Sequence, residues 1–109
     1  MILVFAFASV TLCAQEAKKE DTITIKTSAV CSMCKERIEN KMSFEKGVKA
    51  VNLDLKTKEL TITYRPDKTT PEKLRTAVTK IGYDADEMPA DIKAHNKLPE
   101  CCKKGNESH

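Results

Sequence analysis

Cys31-Ser32-Met33-Cys34 sets two thiols three residues apart, just after the strand-like run Thr22–Thr27 and at the start of the helix-like run Lys35–Met42. Unsatisfied backbone N–H groups and the positive end of the helix dipole meet at a helix N-terminus, and both favour thiolate over thiol. A thiolate is at once a nucleophile and a soft metal ligand. Three chemistries follow from the pattern: metal capture, disulfide exchange and a structural disulfide.

A second pair, Cys101-Cys102, lies in a tail of mixed polarity after Met88. Adjacent cysteines close only a strained ring with each other, so a Cys101–Cys102 disulfide is a poor structural staple. Three readings of the pair stand side by side. They are additional thiolate ligands joining Cys31 and Cys34 in a three- or four-thiolate site, or disulfide partners of the motif or of another protein, or a tail with local reactivity only. His95 and His109 add imidazoles to the same polar tail without a spacing that marks them as ligands.

The elements that must position the motif are legible from periodicity. Ile23 and Ile25 alternate with polar residues, as do Val51, Leu53 and Leu55, and then Leu60, Ile62 and Tyr64. Such alternation marks half-buried strands, and the polar stretch Lys56–Glu59 joins the last two as an antiparallel hairpin. Ile38 and Met42 lie four apart with Cys34 one turn earlier, which turns that face of the first helix inward, and Gly47 is read as the helix breaker. Thr70-Pro71-Glu72 is an N-cap, a first-turn proline and a first-turn acid. Leu74, Ala77, Val78 and Ile81 then recur at helical spacing up to Gly82. With a short last strand over Tyr83–Glu87, the order is strand, helix, strand, strand, helix, strand. That is the α+β ferredoxin-like βαββαβ sandwich, a four-stranded antiparallel sheet with two helices on one face. Its predicted core is Ile23, Ile25, Ile38, Met42, Val51, Leu53, Leu60, Ile62, Leu74, Val78 and Ile81. The Pro89–Pro99 stretch reads as a short helical turn between prolines.

Composition bounds the rest. The chain has 109 residues, and none of Met1–Gln15 is charged. That stretch is too short to span a bilayer but suits a secretory signal, although it lacks a basic leading region. Residues 1–15 are therefore expected to be a signal peptide that takes Cys13 with it, residues 21–87 a single domain and residues 88–109 a Cys-containing tail. Export places the protein in the periplasm or outside the cell, where disulfides persist. Nineteen basic residues face sixteen acidic ones for a net charge of +3, and the chain has two Tyr, three Phe and no Trp. Without a clustered basic face or stacking aromatics, nucleic-acid binding is excluded.

The chain resembles the heavy-metal-associated domain family over about Asp21–Asp86. The resemblance is carried by Cys31-Ser32-Met33-Cys34 after the first strand, Gly47-Val48 leading to Val51-Asn52-Leu53-Asp54, Thr69-Thr70-Pro71-Glu72-Lys73-Leu74, and Ile81-Gly82-Tyr83. It implies that Cys31 and Cys34 bind the metal, with Cys101 and Cys102 as candidate additional ligands. It also places Tyr83 in the loop that approaches the metal loop, as a shield or hydrogen-bond donor or as ordinary packing. Met33 is given no ligand role, and Lys35 and Arg37 read as a solvated helix face. Where the family usually has Gly-Met-Thr before the first cysteine, this chain has Ser28-Ala29-Val30. Two thiolates on a loop suit Cu(I) first and Hg(II) second, whereas Zn(II) normally asks for four protein ligands, which the tail cysteines would have to complete. The functional expectation is capture of a soft ion for sequestration, or for transfer to a partner such as a membrane metal transporter, by a monomer or a metal-bridged dimer and without catalysis. The alternative is a thiol–disulfide oxidoreductase. Against it, no proline precedes a strand where a thioredoxin-like site would need one, and Ser32-Met33 is unlike the common redox pairs.

Overall fold

The structure, a computed structural model, describes residues 19–103. Strand β1 (Asp21–Lys26), helix α1 (Ser32–Met42), strands β2 (Val48–Asp54) and β3 (Glu59–Tyr64), helix α2 (Pro71–Ile81) and a short helix α3 (Ile92–Asn96) follow in chain order, ending in a 3-10 turn, Glu100–Cys102. The sheet order is β1-β3-β2, all antiparallel. The register lines up Ile23, Ile62 and Val51 in one row across the sheet and Ile25, Leu60 and Leu53 in the next. Alternation within each strand thus becomes one apolar face, because a side-chain period of two keeps these residues on the same side.

That face packs on Ile38 and Met42 of α1 and on Leu74 and Val78 of α2 in a single core. Burying each such side chain contributes roughly 1.5–3 kcal/mol before entropy is set against it. Three residues of the predicted core, Ile23, Val51 and Ile81, sit at its margin and are only partly buried. The core also takes in Cys34 and Tyr64, which lie on faces that periodicity marks, and Ala29, Tyr83, Ala85, Leu98 and Cys102, which it does not. Four of those seven come from the segment after α2.

The helix ends behave as their residues dictate, with one exception. Thr70 caps α2 by accepting the Lys73 N–H at 3.2 Å, and Gly82 ends the helix at φ +122°, a backbone that side chains disfavour. Gly47, by contrast, does not terminate α1, which stops at Met42 with Ser43 as its cap. At φ +83° Gly47 instead turns the chain into β2, and a Cβ there would meet Thr69 Cγ2 at 2.8 Å.

The expected fourth strand is a correction. Among the described residues the sheet has three strands, and the last is reduced to bridges of Ala85 with Thr27 and with Met88. The reason is local. Asp86 adopts φ +53° and turns the chain; its N–H reaches Lys26 O at 2.8 Å, but its carboxylate, not a strand carbonyl, accepts the Lys26 N–H at 2.8 Å. Ala85 and Met88 then bond to each other in both directions, and Pro89 has no N–H to extend a ladder. The fold remains the α+β arrangement of the ferredoxin-like class with a stunted edge. No helix among the described residues is long and apolar enough to cross a membrane, and the expected signal segment lies outside them.

Candidate metal centre

The loop that carries the motif is held by its own polar residues. Buried Thr27 donates its hydroxyl to Lys58 O at 2.9 Å and accepts the Ala29 N–H at 3.2 Å. Ser28 Oγ accepts the Asp84 N–H at 2.9 Å, tying this loop to the one after α2. Ala29 is fully buried beneath the loop. Cys31 is the residue that caps α1, extended at φ −152°, and its carbonyl accepts the first helical bond from Lys35 at 3.1 Å. Lys35 is not simply solvated: its ammonium bonds Glu39 at 2.6 Å and the Leu53 carbonyl at 2.7 Å, clamping α1 to β2.

The two motif sulfurs lie 3.6 Å apart, Cys31 half-buried and Cys34 fully buried. Burial alone would push the Cys31 thiol up. The Cys34 N–H, the Cys34 and Cys102 thiols and the Met33 N–H outweigh it, and Cys31 is lowered from 9.0 to about 7. This is the helix N-terminus acting on a thiolate, as the motif's position implied. Cys31 therefore ionises near neutral pH.

The tail cysteines come to the same place from about seventy residues away. Cys102 Sγ lies 3.8 Å from Cys31 Sγ, and Cys101 Sγ lies 3.8 Å from Cys102 Sγ. The sulfurs of Cys31, Cys101 and Cys102 all fall within 4.8 Å of one another, a spacing that could hold a metal ion. None of the four described cysteines is joined in a disulfide. Burial, and then the neighbouring Cys34 thiol, push the Cys102 thiol up to about 12. Met33, 47% exposed, offers its thioether to the Cys101 thiol at 3.5 Å. The sequence pattern gave Met33 no part in the site, since nothing local to the motif announces a contact 68 residues away.

Tyr83 is the remaining member of the cluster. It is completely buried and its hydroxyl has no hydrogen-bond partner, although Cys34 and Cys102 lie close enough to act on its ionisation. Burial and those two thiols drive its ionisation far above the ordinary phenol range. The phenol therefore stays protonated and can donate to a thiolate. His95 stands apart from the sulfurs, with Nδ1 3.1 Å from Gly82 O. His109 lies outside the described residues.

A βαββα core with two thiols at the N-terminus of its first helix defines a class, and residues 23–84 match the heavy-metal-associated domain. The chain belongs to that family. It is 38% identical over 82 residues to copper-transporting ATPase 1 of Rattus norvegicus, which is 75% of this chain and 5% of the ATPase. It is 35% identical over 71 residues to the copper-exporting P-type ATPase of Staphylococcus aureus strain JH9, 65% of this chain and 8% of that protein. The chain thus spans only a small part of the curated relatives it matches. The crystal structure of oxidized MerP from Ralstonia metallidurans CH34 superposes with a TM-score of 0.60 at 26% identity, covering 62% of this chain and 96% of MerP. The thiol–disulfide oxidoreductase reading finds no support among these relatives.

Proposed function

We propose that the protein captures a thiophilic metal ion, Cu(I) ahead of Hg(II), between Cys31 and Cys34, for sequestration or for handover to a membrane metal transporter. The observation that carries this reading is the pair of sulfurs 3.6 Å apart at a helix N-terminus, one of them half-exposed and ionising near neutral pH. Soft thiolates select soft ions, and two of them leave coordination positions that an incoming thiolate can enter. Handover is then a sequence of ligand exchanges with no covalent catalysis. Two relatives named as copper transporters support copper as the first cargo. The uncharged, largely apolar N-terminal stretch supports export to the periplasm or beyond.

Anaerobic competition of the reduced protein against a chromophoric Cu(I) chelator tests the reading. Wild type is expected to withdraw Cu(I) from the chelator, and the Cys31→Ser/Cys34→Ser variant to fail. Undiminished withdrawal by that variant would remove Cys31 and Cys34 from the site. Parallel titrations with Hg(II) and Zn(II) rank the metals.

A further inference from the structure

The segment after α2 is built to return to the sulfurs. Asp91 accepts the Ala94 N–H at 2.9 Å and caps α3, and the Asp91 N–H bonds Thr79 O at 3.0 Å. His95 Nδ1 meets Gly82 O, and a Cβ on Gly82 would lie 3.1 Å from the Ala94 carbonyl and 3.2 Å from His95 N. Gly82 therefore both ends α2 and leaves room for α3 to lie against it. Leu98, 6% exposed, anchors the segment in the core, and the 3-10 turn then delivers Cys102 fully buried beside the motif.

A buried cysteine often serves as a small apolar side chain. Here two further observations point to a ligand. The first is spacing. Thiolates sharing one ion at a metal–sulfur distance of about 2.3 Å lie about 3.8–4.0 Å apart in three- or four-coordinate sites and about 4.6 Å apart in a linear one. Adjacent sulfurs stand at 3.6 Å for Cys34–Cys31, 3.8 Å for Cys31–Cys102 and 3.8 Å for Cys102–Cys101, each pair near the separation of the higher coordination numbers, and Cys31, Cys101 and Cys102 lie within 4.8 Å of one another. The second is the Tyr83 hydroxyl, wholly buried and unpartnered among these sulfurs. A buried donor left unmade costs stability, and it acquires an acceptor once the sulfurs beside it are metal-bound thiolates.

We propose that Cys102 is a third thiolate ligand of the Cys31–Cys34 site, carried in by the folded-back segment 88–103, so that one Cu(I) is held by three sulfurs of a single chain. Cys101, whose sulfur lies within 4.8 Å of those of Cys31 and Cys102 and 3.5 Å from the Met33 thioether, stands beside them as a fourth sulfur. This rests on the capture of a soft ion by Cys31 and Cys34 proposed above. As each sulfur–metal bond forms, the thiol releases its proton to solvent and nothing is oxidised. Three thiolates about one Cu(I) carry a net charge of −2, which the α1 N-terminus and the Tyr83 O–H offset. The tail takes the coordination position that a second protein's thiol, or a second copy of this chain, would otherwise enter. The protein therefore retains its ion while the tail is seated and releases it when the tail lifts, and a metal-bridged dimer is disfavoured.

The test uses the full chain, reduced and loaded with one equivalent of Cu(I). X-ray absorption gives the number of sulfurs at copper, and chelator competition gives the affinity. Wild type is expected to show three sulfurs. Cys102→Ser is expected to show two, with affinity at least tenfold lower, and Leu98→Ala, which keeps every sulfur but loosens the tail, to weaken binding in the same direction. Two sulfurs in wild type, or a Cys102→Ser protein with unchanged sulfur count and affinity, overturns the third ligand while leaving the Cys31–Cys34 pair intact. Tight binding by Cys31→Ser/Cys34→Ser overturns the pair itself and this inference with it. Should Cys102→Ser fail to fold by circular dichroism, the wild-type sulfur count decides alone.

Discussion

At the scale of single residues, the four sulfurs differ more in environment than in chemistry. Cys31 collects N–H groups and ionises near pH 7, whereas burial beside Cys34 pushes Cys102 up to about 12. Only the thiolate alkylates, so the rate at Cys31 in the metal-free protein should rise with pH through about 7, while Cys102 stays unmodified at neutral pH. Iodoacetamide labelling mapped by mass spectrometry across pH 5–9 reads both sites together, and faster labelling of Cys102 than of Cys31 at pH 7 would contradict the assignment. Tyr83 makes an opposite pair of predictions. Replacing it with Phe removes an orphaned buried hydroxyl, so the metal-free protein should be more stable by about 1 kcal/mol in urea. The same change should weaken Cu(I) binding, because the donor toward the thiolates is gone. Loss of stability without a change in affinity would return Tyr83 to ordinary packing.

At the scale of elements, the expected fourth strand and the tail share one explanation. Asp86 turns the chain where a strand would continue, and its carboxylate takes the Lys26 N–H and the Arg75 guanidinium, the latter at 2.7 Å. The segment released from the sheet edge is then free to form α3 against Gly82. Partial burial would raise the Asp86 carboxyl, but the Lys26 N–H and Arg75 outweigh it and hold the carboxyl below its usual range. A lowered folded-state value means that the native protein binds fewer protons than the unfolded chain as the acid range is entered. The contribution is thus complete above the unfolded value of about 4 and is lost as pH falls through the folded one. Asp86→Asn should flatten the decline in denaturation midpoint between pH 5 and pH 2 relative to wild type. An unchanged pH profile would show that the turn does not depend on this charge.

At the scale of the whole molecule, one thin core carries both the fold and the site. Cys34 and Cys102 are core residues as well as candidate ligands, so anything that binds them in the folded state also stabilises the fold. A ligand present at about a thousand times its dissociation constant adds about 4 kcal/mol to stability. One equivalent of Cu(I) should therefore raise the melting temperature of the reduced protein markedly and leave that of Cys31→Ser/Cys34→Ser unmoved. Differential scanning calorimetry under anaerobic conditions makes the comparison, and equal shifts in the two proteins would place the stabilising site elsewhere.

The sequence by itself determined what short-range periodicity encodes. The three alternating strands, the two amphipathic helices, the second with Thr70 and Gly82 at its ends, and the thiol pair at the start of α1 all depend on residues within one or two turns of each other. For the same reason the Cys31–Cys34 pair and the soft-metal expectation are legible in the sequence. Tertiary structure decided what depends on docking. Ala85 ends its strand because of an Asp86 carboxylate 60 residues from the amide it binds, and Cys102 meets Cys31 across 71 residues because Leu98 finds the core and Gly82 has no side chain in the way. No local pattern records those distances. They follow from how the folded core shapes the place where the tail comes to rest.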